Sequence, residues 1–269
     1  MLRALLTAAF FFTMTPLLIS VQWLLGKLHL PGWGFIATRY YRVLIYILGI
    51  RVRVIGAPVR DRAVLLVSNH VSWADILVIG SIAPVAFISK SEVRKWPLVG
   101  ITAELQRTVF VDRSRRHQTG DAVGQIVQRL KDGTSVVLFA EGTSSDGNRV
   151  LPFRSALLGA VEYAATHHGV DNILIQPMSI GYTRINGVPM GRQHRPRIAW
   201  YGDLDFLPHI KALMESGAID AVVSYGEPVP VDGELDRKAM TRRLEGDVRR
   251  LVAGTLHGRP FAASAQPAP

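Results

Sequence analysis

From Leu5 to Leu25 the chain reads LLTAAFFFTMTPLLISVQWLL, with no charged side chain in the run. It is about 20 residues long, the length that spans the hydrocarbon core of a bilayer. Two readings are open: a retained membrane helix and a secretory signal peptide. Arg3 supplies a short positive start, but no small-x-small cleavage site follows before Trp23, Leu24 and Lys27. That pattern favours the retained helix. Pro16 is expected to kink it.

The charge distribution points the same way. The net charge of the 269-residue chain is +10. Residues 1–60 contain no Asp or Glu and seven basic residues, Arg3, Lys27, Arg39, Arg42, Arg51, Arg53 and Arg60. The rest of the chain is nearly balanced. A nucleic-acid binder more often stripes its charge over the folded domain. Here the excess lies beside the most apolar sequence, so an anionic bilayer surface is the expected partner and nucleic acid is not. A second segment, GFIATRYYRVLIYILGI (Gly34 to Ile50), carries Arg39 and Arg42 and reads as an interfacial helix. Trp23, Trp33, Tyr40 and Tyr41 suit the lipid boundary. The two segments could instead form a helical hairpin dipping into one leaflet.

From about Arg51 short apolar runs alternate with amphipathic stretches. Expected strands are Val52–Ile55, Ala63–Val67, Val85–Ile88, Thr108–Val111, Ser135–Phe139, Ile173–Ile180, Ile198–Tyr201 and Ala221–Tyr225. Several are β-branched and continuous, as strands buried on both faces should be. Expected helices are Trp73–Ser81, Pro97–Leu105, Gly120–Lys131, Arg154–His167, Leu207–Glu215 and Leu235–Val252. Asp132-Gly133 closes the third of these. Such alternation implies an α/β domain with a mixed sheet. The expected organisation is membrane-embedded or interfacial helices over 1–50, the α/β domain over 51–258 and a disordered tail over 259–269. The chain has no cysteine, which excludes disulfides and thiolate metal sites.

Residues 69–75 read NHVSWAD, directly after the apolar run Ala63 to Ser68. His70 and Asp75 are five apart, roughly 140° around a helix, so two helical residues could not meet. They can meet if His70 lies in the loop and Asp75 in the first helical turn. Ser72 suits an N-cap, and Ser72-x-x-Asp75 resembles a capping box. One reading is therefore purely structural, with Asp75 capping the helix and His70 a hydrogen-bonded loop residue. The other is a dyad, in which the carboxylate orients a histidine that serves as general base. With no serine nucleophile, such a base can deprotonate a substrate hydroxyl directly.

A second polar stretch, VVLFAEGTSSDGNRVLPFRSAL (Val136 to Leu157), is a strand, a glycine-containing loop and a helix. Glu141, Gly142, Thr143, Ser144 and Arg149 fall in its loop. A third, QRTVFVDR, ends in Asp112 and Arg113. Three polar clusters at strand ends point to one site at the sheet's edge.

In this order the blocks resemble the 1-acylglycerol-3-phosphate O-acyltransferase family, the glycerolipid acyltransferases with a His-x4-Asp motif. The resemblance covers roughly Leu65 to Ile180. Asn69-His70-Val71-Ser72-Trp73-Ala74-Asp75 fits the first block, Phe110-Val111-Asp112-Arg113 the second, Phe139-Ala140-Glu141-Gly142-Thr143 the third, and Gln176-Pro177-Met178 the fourth. The resemblance implies a mixed, largely parallel sheet flanked by helices and preceded by N-terminal membrane helices. It implies catalysis by His70 and Asp75, with Asn69, Ser72, Arg113, Glu141, Gly142, Thr143, Ser144 and Arg149 at the acceptor. His70 would take the proton of an acceptor hydroxyl, whose oxygen attacks the thioester of acyl-carrier protein or acyl-CoA. Backbone N–H groups near Gly142 would stabilise the oxyanion or bind the acceptor. Neither metal nor cofactor is implied; the location implied is a bacterial inner membrane, with the catalytic domain facing the cytoplasm.

Two positions depart from the family pattern. Ala140 replaces a proline, and Ser144 stands where an arginine is usual. Loss of a planar phosphate ligand weakens the case for lysophosphatidate. The stretches EGTSSDGNRVLPFRSAL and AWYGDLDFLPH are more similar to bacterial lyso-ornithine lipid O-acyltransferases, whose acceptor carries a carboxylate and an amine but no phosphate. The expected acceptor is therefore lyso-ornithine lipid, with lysophosphatidate second.

Other features admit a docking or a structural reading. Lys90, Arg94, Lys95, Arg113, Arg115 and Arg116 are either a dock for acidic acyl-carrier protein or a solvated face. Asp203-Leu204-Asp205 reads as a turn, His167-His168 as a helix end and Trp73 as a packing anchor. Rival functions are a non-catalytic membrane scaffold and an ester hydrolase in which His70 activates water.

Overall fold

The computed structural model describes residues 2–28, 30, 32–112, 116–154, 158, 174–230 and 237–258. Helix α1 (Leu2–Lys27) contains the expected membrane stretch, with Pro16 inside it. Over Leu5–Lys27 it is long and apolar enough to cross a membrane. Helix α2 (Trp33–Ile47) folds back along it. Phe10 stacks on Tyr40, Thr15 hydrogen-bonds the Tyr40 hydroxyl, and Gln22 Nε2 donates to the Trp33 carbonyl at 3.2 Å. These contacts fix an antiparallel pair.

Among the described side chains of α1, Thr7, Thr15, Leu18 and Gln22 are buried, while Leu5, Leu6, Phe12, Leu17, Val21, Trp23 and Leu24 are exposed. The helix thus turns polar groups inward and apolar groups outward. Tyr40 and Tyr41, expected at a lipid boundary, are instead buried between α1 and helix α3 (Ala74–Gly80). Gly80 packs directly on the Tyr41 ring, so a side chain there would not fit. Trp23, by contrast, is exposed.

After α2 the strands are β1 (Ile50–Ile55), β2 (Val64–Ser68), β3 (Ala86–Lys90), β4 (Val109–Val111), β5 (Val136–Phe139), β6 (Leu174–Ile185), β7 (Val188–Pro189), β8 (Ile219–Tyr225) and β9 (Val229–Pro230). They form a single sheet in the order β1-β8-β6-β2-β5-β3-β4, with β7 and β9 also paired to β6. β1 is parallel to β8, and β6, β2, β5, β3 and β4 are parallel neighbour to neighbour; β8 runs antiparallel to β6. The sheet is mixed, as the alternation predicts, and largely parallel, as the resemblance implies.

Helix α4 (Val99–Leu105) and helix α5 (Arg116–Lys131) connect the strands up to β5. Helices α6 (Phe206–Glu215) and α7 (Arg237–Leu256) lie later in the chain. On one face of the sheet, Leu66, Phe139, Ile180 and Tyr182 pack with Val78 and Ile79 of α3 and Leu213 of α6. On the other, Leu65, Val67 and Leu138 pack with Ile126 of α5 and Leu244 and Val248 of α7. Burial on both faces is why β2 and β5 read as unbroken apolar runs.

Three local expectations are corrected. Ile198–Tyr201 is not a strand; it follows a 3-10 turn at Arg195–Arg197. Ile198 and Ala199 are buried by packing onto the α3 face, and the N–H of Trp200 donates to Val71 O at 2.9 Å instead of entering a ladder. Pro97 does not open α4, because Leu98 takes a left-handed φ of 61° and breaks the run. Asp203-Leu204-Asp205 follows no strand, although it does form the turn into α6. Asp132-Gly133 does close α5, with Gly133 at φ 77° and Thr134 N–H bonded to Arg129 O at 2.8 Å. The expected helix Arg154–His167, His167-His168 and the tail over 259–269 lie outside the described residues, Arg154 and Leu158 excepted.

Candidate active site

β2 ends at Ser68 and β5 at Phe139, and these residues are paired in register. The two polar stretches that follow therefore emerge side by side. His70 lies in the loop after β2, and its ring stacks on Phe139 at 4.0 Å between centroids and 18° between planes. Phe139 stacks in turn on Phe87 of β3. The imidazole is thus held against an aromatic floor, with its side chain 20% exposed and that of Asp75 0% exposed.

His70 Nδ1 lies 2.8 Å from Asp75 Oδ2. The same oxygen accepts the N–H groups of Val71 at 2.7 Å and Ser72 at 3.0 Å. The other oxygen, Oδ1, accepts the hydroxyl of Tyr182 at 2.8 Å. A carboxylate surrounded only by donors is an acceptor, so the ring proton sits on Nδ1 and leaves Nε2 as the basic lone pair.

The two geometries open for NHVSWAD meet in one side chain. Asp75 caps the first turn and also orients His70. Half of the expected capping box is built: Asp75 reaches back to the Ser72 N–H. The other half is not, because the helix starts at Ala74 with Trp73 at its cap, and buried Ser72 Oγ has no hydrogen-bond partner among the described residues.

Asn69 is placed as a bridge to the backbone of β6. Its Nδ2 donates to Ile180 O and its Oδ1 accepts Ile180 N–H, both at 2.9 Å. Glu141 is buried, and its Oε1 accepts the His70 N–H at 3.2 Å. Burial pushes its carboxyl up to about 8, against the pull of the His70 and Leu151 N–H groups; the nearby Asp75 adds to the rise. Gly142 sits at φ 72° and its N–H closes a turn onto Phe139 O at 3.1 Å. The N–H groups of Thr143 and Ser144 make no hydrogen bond among the described residues. The Ser144 hydroxyl donates to Trp200 O, and Arg149 is exposed. Asp112 follows β4, two strands from β5 at the same edge, and Arg113 lies outside the described residues.

Several contributors escaped the sequence reading. Tyr182 lies beyond the end of the expected strand Ile173–Ile180; only its place two and four residues after Ile180 and Met178 on one strand face hints at where it points. Ser145 clamps the His70 carbonyl through its N–H at 2.8 Å and its hydroxyl at 3.2 Å. Trp73 packs edge-on against Phe206 and donates Nε1–H to His209 Nδ1 at 3.0 Å, the anchoring role expected of it.

Residues 51–181 match the acyltransferase family model. The chain is 46% identical over 259 residues to a lyso-ornithine lipid O-acyltransferase of Brucella abortus, covering 96% of this chain and 97% of that one. It is 43% identical over 253 residues to a protein of the same name from Rhizobium meliloti, covering 94% and 87%. The fold is that of the crystal structure of a 1-acyl-sn-glycerophosphate acyltransferase from Thermotoga maritima, with a TM-score of 0.63 at 22% identity over 100% of this chain and 99% of that one. Identity sustained along nearly the whole of two relatives assigns the chain: it belongs to the glycerolipid acyltransferase family marked by the His-x4-Asp motif and is an enzyme that transfers acyl groups.

Proposed function

We propose that the protein moves a fatty acyl chain from an acyl-carrier protein or acyl-CoA thioester to the free hydroxyl of lyso-ornithine lipid, with His70 as general base. The observation that carries the chemistry is the 2.8 Å contact between His70 Nδ1 and the buried Asp75 carboxylate. The acceptor reading rests on the relatives named lyso-ornithine lipid O-acyltransferase and on Ser144, whose hydroxyl is tied to Trp200.

In this reading Nε2 of His70 removes the proton as the acceptor oxygen attacks the thioester carbon. The Asp75 carboxylate stabilises the imidazolium that forms. The Thr143 and Ser144 N–H groups are the available donors for the tetrahedral oxyanion, since that of Gly142 is engaged. Collapse breaks the carbon–sulfur bond, and Nε2–H returns the proton to the departing thiolate. Exposed Lys90 and Lys95 suit an acidic carrier protein.

The outward apolar face of α1 and the acid-free first 60 residues support attachment to an anionic bilayer, the cytoplasmic face of a bacterial inner membrane in this reading. The test is turnover of lyso-ornithine lipid and of lysophosphatidate with one acyl donor. Faster turnover of lysophosphatidate would refute the acceptor. His70→Ala is expected to abolish transfer with the fold retained; unchanged transfer would eliminate the general base.

A further inference from the structure

The turn after Ser145 is held between the His70 loop and a guanidinium. Gly147 has φ +76°, and a Cβ there would lie 3.1 Å from Val71 Cγ1 and 3.7 Å from Arg195 Cβ. Asn148 locks the far side: its Oδ1 accepts Arg195 Nη1–H at 3.1 Å, its Nδ2 donates to Arg192 O at 3.0 Å, and its N–H donates to Asp146 Oδ1 at 3.0 Å. Ser145 fixes the near side to the His70 carbonyl. One turn therefore touches both the His70 loop and Arg195.

The guanidinium is only partly engaged. Nη1 serves the protein, but Nε is buried and has no acceptor among the described residues. Asp146 is near enough to favour the cation but makes no ion pair with it among the described residues, and Arg192 and burial both oppose it. A buried donor without an acceptor costs free energy that an arriving anion would recover. The Nε edge of a guanidinium offers two parallel donors, the geometry that a carboxylate accepts in bidentate fashion.

We propose that Arg195, positioned by the Asp146–Asn148 turn, is a headgroup subsite that binds the carboxylate of an amino-acid lysolipid. The inference rests on the acceptor reading above. In lyso-ornithine lipid six covalent bonds separate the reacting oxygen from the carboxylate carbon, roughly 7 Å fully extended. Arg195 lies across one glycine turn from Val71, the residue that follows the base. The subsite makes the enzyme selective for the headgroup and not only for the hydroxyl.

The experiment compares kcat/KM for lyso-ornithine lipid, its carboxyl methyl ester and lysophosphatidate, with one acyl donor, in the full-length wild type, Arg195→Met and Arg195→Lys. The wild type is expected to favour the free acid over the ester about 10- to 100-fold, the worth of a charge-assisted hydrogen-bond pair. Arg195→Met should bring that ratio near unity and Arg195→Lys should fall between. A loss of folded enzyme lowers both rates together and leaves the ratio where it was, so the ratio reads the contact itself. An Arg195→Met ratio equal to that of the wild type overturns the subsite. So does a wild type that acylates acid and ester equally, although the acceptor reading would survive. A wild type that acylates lysophosphatidate and neither ornithine lipid overturns both.

Discussion

The hydroxyl of Tyr182 donates to Asp75 Oδ1 at 2.8 Å, on the oxygen opposite the one that holds His70. Both groups are buried, and burial with the adjacent carboxylate raises the Tyr182 pKa well above 10.0, so the hydroxyl remains a donor. Asp75 is therefore pinned at both oxygens, and a carboxylate so fixed cannot rotate away from the imidazole. Tyr182→Phe keeps the ring and removes only this bond. It is expected to lower kcat by about three- to tenfold with little change in either KM. In an Asp75→Ala background the same substitution should cost nothing further, because the hydroxyl acts only through the carboxylate. Independent, additive losses would sink this role.

Asn69 extends the pairing of β2 with β6 past its last backbone pair, Ser68 with Met178. Its amide takes the N–H and C=O of Ile180 as a peptide group would. Asn69→Ala is expected to destabilise the protein by about 2–4 kcal/mol, since it leaves two buried polar groups without partners. Urea titration followed by circular dichroism measures this. Retained stability with a raised acceptor KM would mean that Asn69 serves the substrate and not the fold.

What the sequence disclosed and what it concealed divide along a physical line. β2 and β5 were legible because strands buried on both faces are continuous apolar runs. Ile198–Tyr201 has the same composition but gains its burial from the side of the sheet, without a ladder partner, and composition does not distinguish the two. His70 and Asp75 are close in sequence and could be weighed as a pair. Tyr182 lies 107 positions from Asp75 and Arg195 stands 47 from Asn148, so only the folded chain brings each pair together. Tyr40 and Tyr41 read as boundary aromatics because their partners, in α1 and α3, are invisible to a local window.

Glu141 should leave a signature in stability against pH. Its carboxyl titrates near 4.5 when the chain is unfolded and near 8 when folded, chiefly because it is buried. Between these values the folded state holds a proton that the unfolded state has released. Stability conferred by the neutral group is complete below 4.5 and is lost as pH rises toward 8. The steepest loss is about 1.4 kcal/mol per pH unit. Glu141→Gln has no proton to release and should flatten this part of the curve. Thermal melts of both proteins across the window provide the check. Parallel curves would show that Glu141 ionises as readily in the folded protein as in the unfolded one.

The outward face of α1 makes a last prediction. Leu17 is 56% exposed near the middle of the Leu5–Lys27 stretch, and Leu28, just beyond the helix end, is equally exposed at 56%. Against water the two positions are equivalent, and an arginine at either should be harmless. Against lipid they differ, because a charge at mid-helix costs about 2.5–3.5 kcal/mol of insertion free energy whereas one near the end reaches the headgroups. Leu17→Arg should therefore deplete the protein from carbonate-washed membranes, while Leu28→Arg stays with them. Equal retention of the two variants would remove α1 as the element that meets the bilayer, whatever its length and composition.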